Sequence, residues 1–68
     1  MNVTVNGRPH VLPEDSTIAT AVEAVLPGAA GAGIAVAIDG QVVPANSWTE
    51  HALHDGDALE VIMALQGG

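Results

Sequence analysis

Val3 and Val5 alternate with Asn2, Thr4 and Asn6, the period-2 pattern of a strand with one buried face. Asn6-Gly7 follows, and both residue types tolerate the positive φ that a tight hairpin turn requires. The return strand is predicted over Arg8 to Leu12. Pro9 has no donor N–H, which sends that strand to a sheet edge. The period then changes. Ile18, Ala21, Val22, Val25 and Leu26 fall at i, i+3, i+4, i+7 and i+8, one helical stripe, with Thr20, Glu23 and Ala24 off it. Asp15, Ser16 and Thr17 offer N-cap oxygens before it, and Pro27-Gly28 stops it.

After a small-residue connector (Gly28 to Gly33, GAAGAG), Ile34, Val36 and Ile38 alternate with Ala35 and Ala37. Asp39-Gly40 predicts a second tight hairpin, returning through Gln41 to Val43 until Pro44 ends it. Ala45 to Leu53 reads as irregular chain or a short helical turn, with Trp48 covering one end of a small core. Asp55-Gly56-Asp57 turns the chain into a last, most apolar strand from Ala58 to Ala64.

The order strand, strand, helix, strand, strand, strand predicts an α+β fold, a mixed sheet with one helix on one face. A right-handed crossover and the apolarity of Ala58–Ala64 put that strand in the centre, between the first strand and the third. This is the ubiquitin-like β-grasp architecture. Leu59, Val61 and Met63 are expected to face the helix. Glu60, Ile62 and Ala64 face the other way, beside Thr4, Ala35 and Ala37. An outer face this small and apolar hints at a docking surface, against the alternative that scattered exposed apolar residues are ordinary; Ile62, Ala64, Ala35 and Ala37 are the candidate contact residues.

Residues 1–64 are read as the domain and 65–68 as a tail. Fixing a backbone costs roughly 1–2 kcal/mol per residue, so ordering Leu65 to Gly68 costs on the order of 4–8 kcal/mol. Gly67 and Gly68 bring no side chains to offset it. The tail is expected to be loose in solution and ordered only inside a partner.

The chain has 68 residues and no cysteine, which removes disulfides, zinc thiolates and cysteine nucleophiles. A domain of this size has no room for a second core or a deep cofactor cavity. Net charge is −7 with Arg8 the sole Lys/Arg residue, the opposite of what a phosphate backbone requires, so no nucleic-acid partner is expected. The 49% hydrophobic content argues against an acidic disordered chain. No run approaches the ~20 apolar residues of a membrane span, and no basic region followed by an apolar run opens the chain. A soluble, cytoplasmic protein without membrane contact is expected.

Side-chain chemistry is sparse. His51 and His54, with Asp55 and Asp57 nearby, can be written as a metal site, but nothing in the spacing fixes a tetrahedral geometry or its supporting contacts. A solvated loop is the simpler reading. His10 stands apart, and Ser16 and Ser47 read as cap or turn residues without a positioned Ser/His/Asp set. No metal site, bound cofactor or catalytic residue is expected. The carboxylate of Gly68 is the remaining reactive group. It resists nucleophiles until activated, for instance as an acyl adenylate, and a Gly-Gly pair can thread a channel that any Cβ would block.

The segment IAVAIDGQVVPANSW (Ile34 to Trp48), the Asn6-Gly7 hairpin, the DGD turn and the ending LEVIMALQGG together resemble the ThiS family, the sulfur carriers of thiamine biosynthesis. The chain departs from that family where an arginine often follows the VVP proline; here it is Ala45. The resemblance implies that a ubiquitin-activator-like adenylating enzyme uses ATP and magnesium to adenylate Gly68. Sulfur from a cysteine desulfurase persulfide then replaces AMP, and the Gly68 thiocarboxylate donates it at thiazole synthase. Gly67, Gln66 and Leu65 thread the tail into each partner. The chain itself is then a carrier and co-substrate, not an enzyme. A carrier for molybdopterin or cysteine synthesis, a protein modifier and a plain interaction module are the competing readings. In the free protein the amides of Gly67 and Gly68 are expected to exchange without protection; slow exchange at either would contradict a tail ordered only by a partner.

Overall fold

The computed structural model describes residues 1–28 and 33–63. The described residues form β1 (Asn2–Val5), β2 (Arg8–Val11), α1 (Ile18–Val25), β3 (Ile34–Ile38), β4 (Gln41–Val43), a 3-10 turn (Ala45–Ser47) and β5 (Ala58–Met63). The five strands make one sheet in the order β2-β1-β5-β3-β4. β5 is central, parallel to β1 and antiparallel to β3, while β2 and β4 form the edges. This is the β-grasp arrangement expected from the strand pattern, with Pro9 on an edge strand where its missing N–H costs no internal ladder bond.

Both hairpins turn on the dipeptides that predicted them. Asn6 and Gly7 have φ of 53° and 81°, Asp39 and Gly40 of 51° and 79°, the paired positive values of a type I′ turn. Thr17 caps α1. Its Oγ1 accepts from the Thr20 N–H at 3.4 Å, and the Thr20 Oγ1 accepts from the Thr17 N–H at 3.3 Å, a reciprocal capping box. The next orphan donors of the helix are also met: Ile18 N–H donates to the His51 carbonyl and Ala19 N–H to the Trp48 carbonyl. Ser16 is buried, and its hydroxyl donates to the Pro13 carbonyl at 2.7 Å, closing the turn before the helix.

One core fills the space between helix and sheet. Ile18, Ala21 and Val22 meet Val3, Val5, Val36, Ile38, Leu59 and Val61, with Leu12, Trp48 and Leu53 closing its margins. Val25 and Leu26 are only partly buried, so the stripe weakens towards its C-terminal end. Trp48 covers the core as expected and satisfies its indole by donating from Nε1 to the Val43 carbonyl at 2.9 Å.

The placement of Met63 needs correction. It pairs with Ile34, yet it is 57% exposed, not packed under the helix. β1 ends opposite Leu59, so at Met63 the sheet continues on one side alone, through β3. Replacing Leu59 by Ala is expected to cost about 2–5 kcal/mol, comparable to the whole stability of a domain this small. Val11→Ala, at a side chain 80% exposed, should change stability by about 0.5 kcal/mol or less. Urea denaturation of both checks the assignment; similar losses in the two variants would contradict it.

Candidate functional site

The sheet presents its second face away from α1. Register places Ile62 beside Ala35, Glu60 beside Ala37, and Ala37 beside Val42. Directly opposed residues share a face, so Ile62, Ala35, Ala37 and Val42 form one outward strip across β5, β3 and β4. Ile62 is 60% exposed and Val42 71%; Ala35 is exposed and Ala37 half-buried. Three of the four predicted contact residues are therefore brought together. Ala64, the fourth, lies outside the described residues, as do Leu65, Gln66, Gly67 and Gly68. Val42 was not among the predicted contacts. Its place opposite Ala37 across the Asp39-Gly40 turn is the signal that identifies it, because a two-residue hairpin fixes register.

What holds β5 in place is less visible from the sequence. The backbone ladder with β1 is short: Thr4 N–H donates to the Asp57 carbonyl at 3.0 Å and Asn6 N–H to the Leu59 carbonyl at 2.9 Å. Beyond it the Asn6 side chain takes over. Its Nδ2 donates to the Val61 carbonyl at 3.1 Å, and its Oδ1 accepts from the Val61 N–H at 2.8 Å. A carboxamide carries the same donor and acceptor as a peptide unit. Asn6 thus extends the ladder by one step while its own backbone is already turning towards Gly7.

The acidic turn before β5 is a second anchor. The Asp55 carboxylate accepts from the Asn2 N–H at 2.6 Å, Gly56 N–H donates to the Asn2 carbonyl at 2.7 Å, and Asp57 Oδ2 accepts from the His54 N–H at 2.8 Å. Gly56 sits at φ +93°, where a side chain would be strained. Both aspartates bond backbone N–H groups here. His54 Nδ1 lies 3.9 Å from the Asp57 carboxylate, and among the described residues no three His, Asp or Glu side chains converge as a metal would require.

An open cleft of about 600 Å³ is lined by Val5, Asn6, Arg8, His10, Ala24 and Val25. Arg8 pairs with Val5 and His10 with Val3, so both lie on the helix side of the sheet, opposite the Ile62 strip. Edge position explains why the inward-facing residues of β2 are polar. Arg8 remains exposed, and His10 is half-buried in the cleft that Ala24 and Val25 of α1 also line.

The topology, with a single helix packed beneath a central β5, defines a ubiquitin-like β-grasp protein. Two solved structures of a thiamine biosynthesis protein from Geobacter metallireducens share it. The crystal structure of that protein, called ThiS, superposes with a TM-score of 0.76 at 30% identity, covering all of both chains. The solution structure gives 0.78 at 28% identity, covering all of this chain and 88% of the other. The sulfur carrier protein ThiS of Escherichia coli (strain K12) is 40% identical over 37 residues, a stretch spanning 54% of this chain and 56% of that carrier. The ThiS family model matches residues 2–68. The chain belongs to the ThiS family.

Ile62→Asp is expected to change folding stability by about 1 kcal/mol or less, because its side chain meets solvent. Val61→Asp puts an unpaired carboxylate into the core and should unfold the domain. Thermal melts of the two variants decide this; an unfolded Ile62→Asp would show that the faces are reversed.

Proposed function

We propose that the chain is a sulfur carrier of thiamine biosynthesis, with Gly68 as the covalent site. The observation that supports this most directly is the family match, which runs through β5 and continues to Gly68. In this reading an adenylating enzyme related to the ubiquitin activators, using ATP and magnesium, converts the Gly68 carboxylate to an acyl adenylate. The outer sulfur of a cysteine desulfurase persulfide displaces AMP to give an acyl disulfide, and a thiol reductant cleaves its S–S bond to release the sulfur on Gly68. The resulting thiocarboxylate gives up its sulfur at thiazole synthase. The chain supplies no catalytic group and binds no cofactor of its own; it is a co-substrate passed between enzymes.

The docking strip and the terminus belong to one device. Ile62, Ala35, Ala37 and Val42 form the landing surface, and residues 64–68 reach at most about 18 Å beyond Met63. The partner's active centre must lie within that distance of its own docking groove. Gly67 admits the backbone to a narrow channel, with Gln66 and Leu65 following. With net charge −7 and Glu60 beside the strip, the matching surface is apolar with basic groups around it. The cost of ordering a tail in each complex keeps affinity modest, which suits a carrier that must leave one enzyme for the next.

Appending one residue after Gly68 is expected to abolish adenylation while leaving the melting temperature unchanged. ATP–pyrophosphate exchange with the cognate adenylating enzyme checks this. Exchange at the parent rate in the extended form would overturn the assignment of Gly68. A chain that kept its cellular role after loss of Gly67 and Gly68 would be an interaction module instead.

A further inference from the structure

We propose that Asn6 is a chemical modification site, protected by the fold and read by it: spontaneous deamidation at Asn6-Gly7 is suppressed while its carboxamide bridges to Val61, and once it occurs it loosens β5.

The residue pair is intrinsically reactive. Glycine at position 7 has no Cβ to hinder its backbone nitrogen, which can attack the Asn6 Cγ. The Cγ–Nδ2 bond then breaks, the Gly7 nitrogen loses its proton, and ammonia leaves a cyclic succinimide. Water adds to either ring carbonyl, giving aspartate or, with an extra methylene in the backbone, isoaspartate. Water is the only co-reactant, and Asn6 and Gly7 are both exposed to it.

The structure opposes the first step. Nδ2 donates to the Val61 carbonyl at 3.1 Å and Oδ1 accepts from the Val61 N–H at 2.8 Å. Both carboxamide heteroatoms are thus committed across the sheet, to a residue 55 positions away in sequence. Swinging Cγ onto the Gly7 nitrogen and expelling Nδ2 as ammonia gives up these bonds. Two bonds of ordinary strength imply a rate lowered at least roughly fivefold relative to the unfolded chain.

The consequence follows from the same two atoms. An aspartate at position 6 keeps the acceptor for the Val61 N–H but loses the donor for the Val61 carbonyl, and it sets a charged oxygen against that carbonyl. It also adds one more negative charge to a chain already at −7. Isoaspartate lengthens the backbone within the type I′ turn and moves the group off Val61 altogether. Both products strike the short parallel ladder that holds β5 to β1.

Deamidation at position 6 is followed by intact-mass and fragment-ion analysis of the full chain at neutral pH, folded and in concentrated urea. The expected result is at least roughly fivefold slower conversion in the folded chain; equal rates would overturn the protective role. The consequence is then read by amide exchange at Val61 in Asn6→Gly, which keeps the turn but removes the carboxamide, and by a thermal melt of Asn6→Asp. Faster exchange at Val61 than in the parent is expected in Asn6→Gly, which removes the acceptor, and a lowered melting temperature in Asn6→Asp, which sets a charged oxygen against the Val61 carbonyl. Parent-like protection in Asn6→Gly would show that the bridge holds nothing. Should Asn6→Asp fail to fold, the rate comparison and Asn6→Gly still decide the proposal.

Discussion

The structure depends on the parallel junction between β1 and β5. Each flanking hairpin closes through a two-residue turn and pairs residues near in sequence, but an isolated hairpin is marginal in water. Only the β1–β5 contact, with Thr4 opposite Ala58 and Val5 opposite Leu59, joins the β1–β2 hairpin to the rest of the sheet. That ladder would be brief without Asn6, whose carboxamide adds the bonds to Val61. β5 is therefore held on both sides along its inner half, which places Leu59 and Val61 in the core and leaves Ile62 outside.

A second constraint ties the helix to the last third of the chain. Ile18 and Ala19 donate to the His51 and Trp48 carbonyls, and Leu53 N–H donates to the Ser16 carbonyl. A helix start presents N–H groups with no partner inside the helix. Here the irregular segment after β4 supplies carbonyls to meet them, while Trp48 and Leu53 from the same segment enter the core. Local chain without regular structure thus works as a cap for the one helix and a lid for the core.

Most of the architecture was legible because it rests on local rules. Alternation at Val3 and Val5 and at Ile34 to Ile38, the helical stripe from Ile18, and the Asn6-Gly7 and Asp39-Gly40 turns each follow from short-range chemistry. The central place of the last strand followed from its apolarity. What escaped depends on partners distant in sequence. Nothing around Asn6 shows that its side chain meets Val61, and nothing around Met63 shows that β1 ends before reaching it. Val42 looked like an ordinary edge residue until its register with Ala37 joined it to the Ile62 strip. The polar inward face of β2 was equally hidden, since Arg8 and His10 alternate like a solvated strand. Of the candidate site, the strip was largely readable, and residues 64–68 lie outside the described residues.

The carrier reading joins a sheet face to a terminus through one strand. In that reading the exposed Ile62 of β5 serves docking, and Gly68, five residues beyond the end of the strand, serves delivery. The most direct measurement is the intact mass of the chain after incubation with its cognate adenylating enzyme, ATP and a sulfur donor. The account predicts a gain equal to sulfur replacing one oxygen, lost again on adding thiazole synthase with its substrates. No gain with an enzyme shown to be active would contradict it, and a gain that survived thiazole synthase would assign the sulfur to a different recipient.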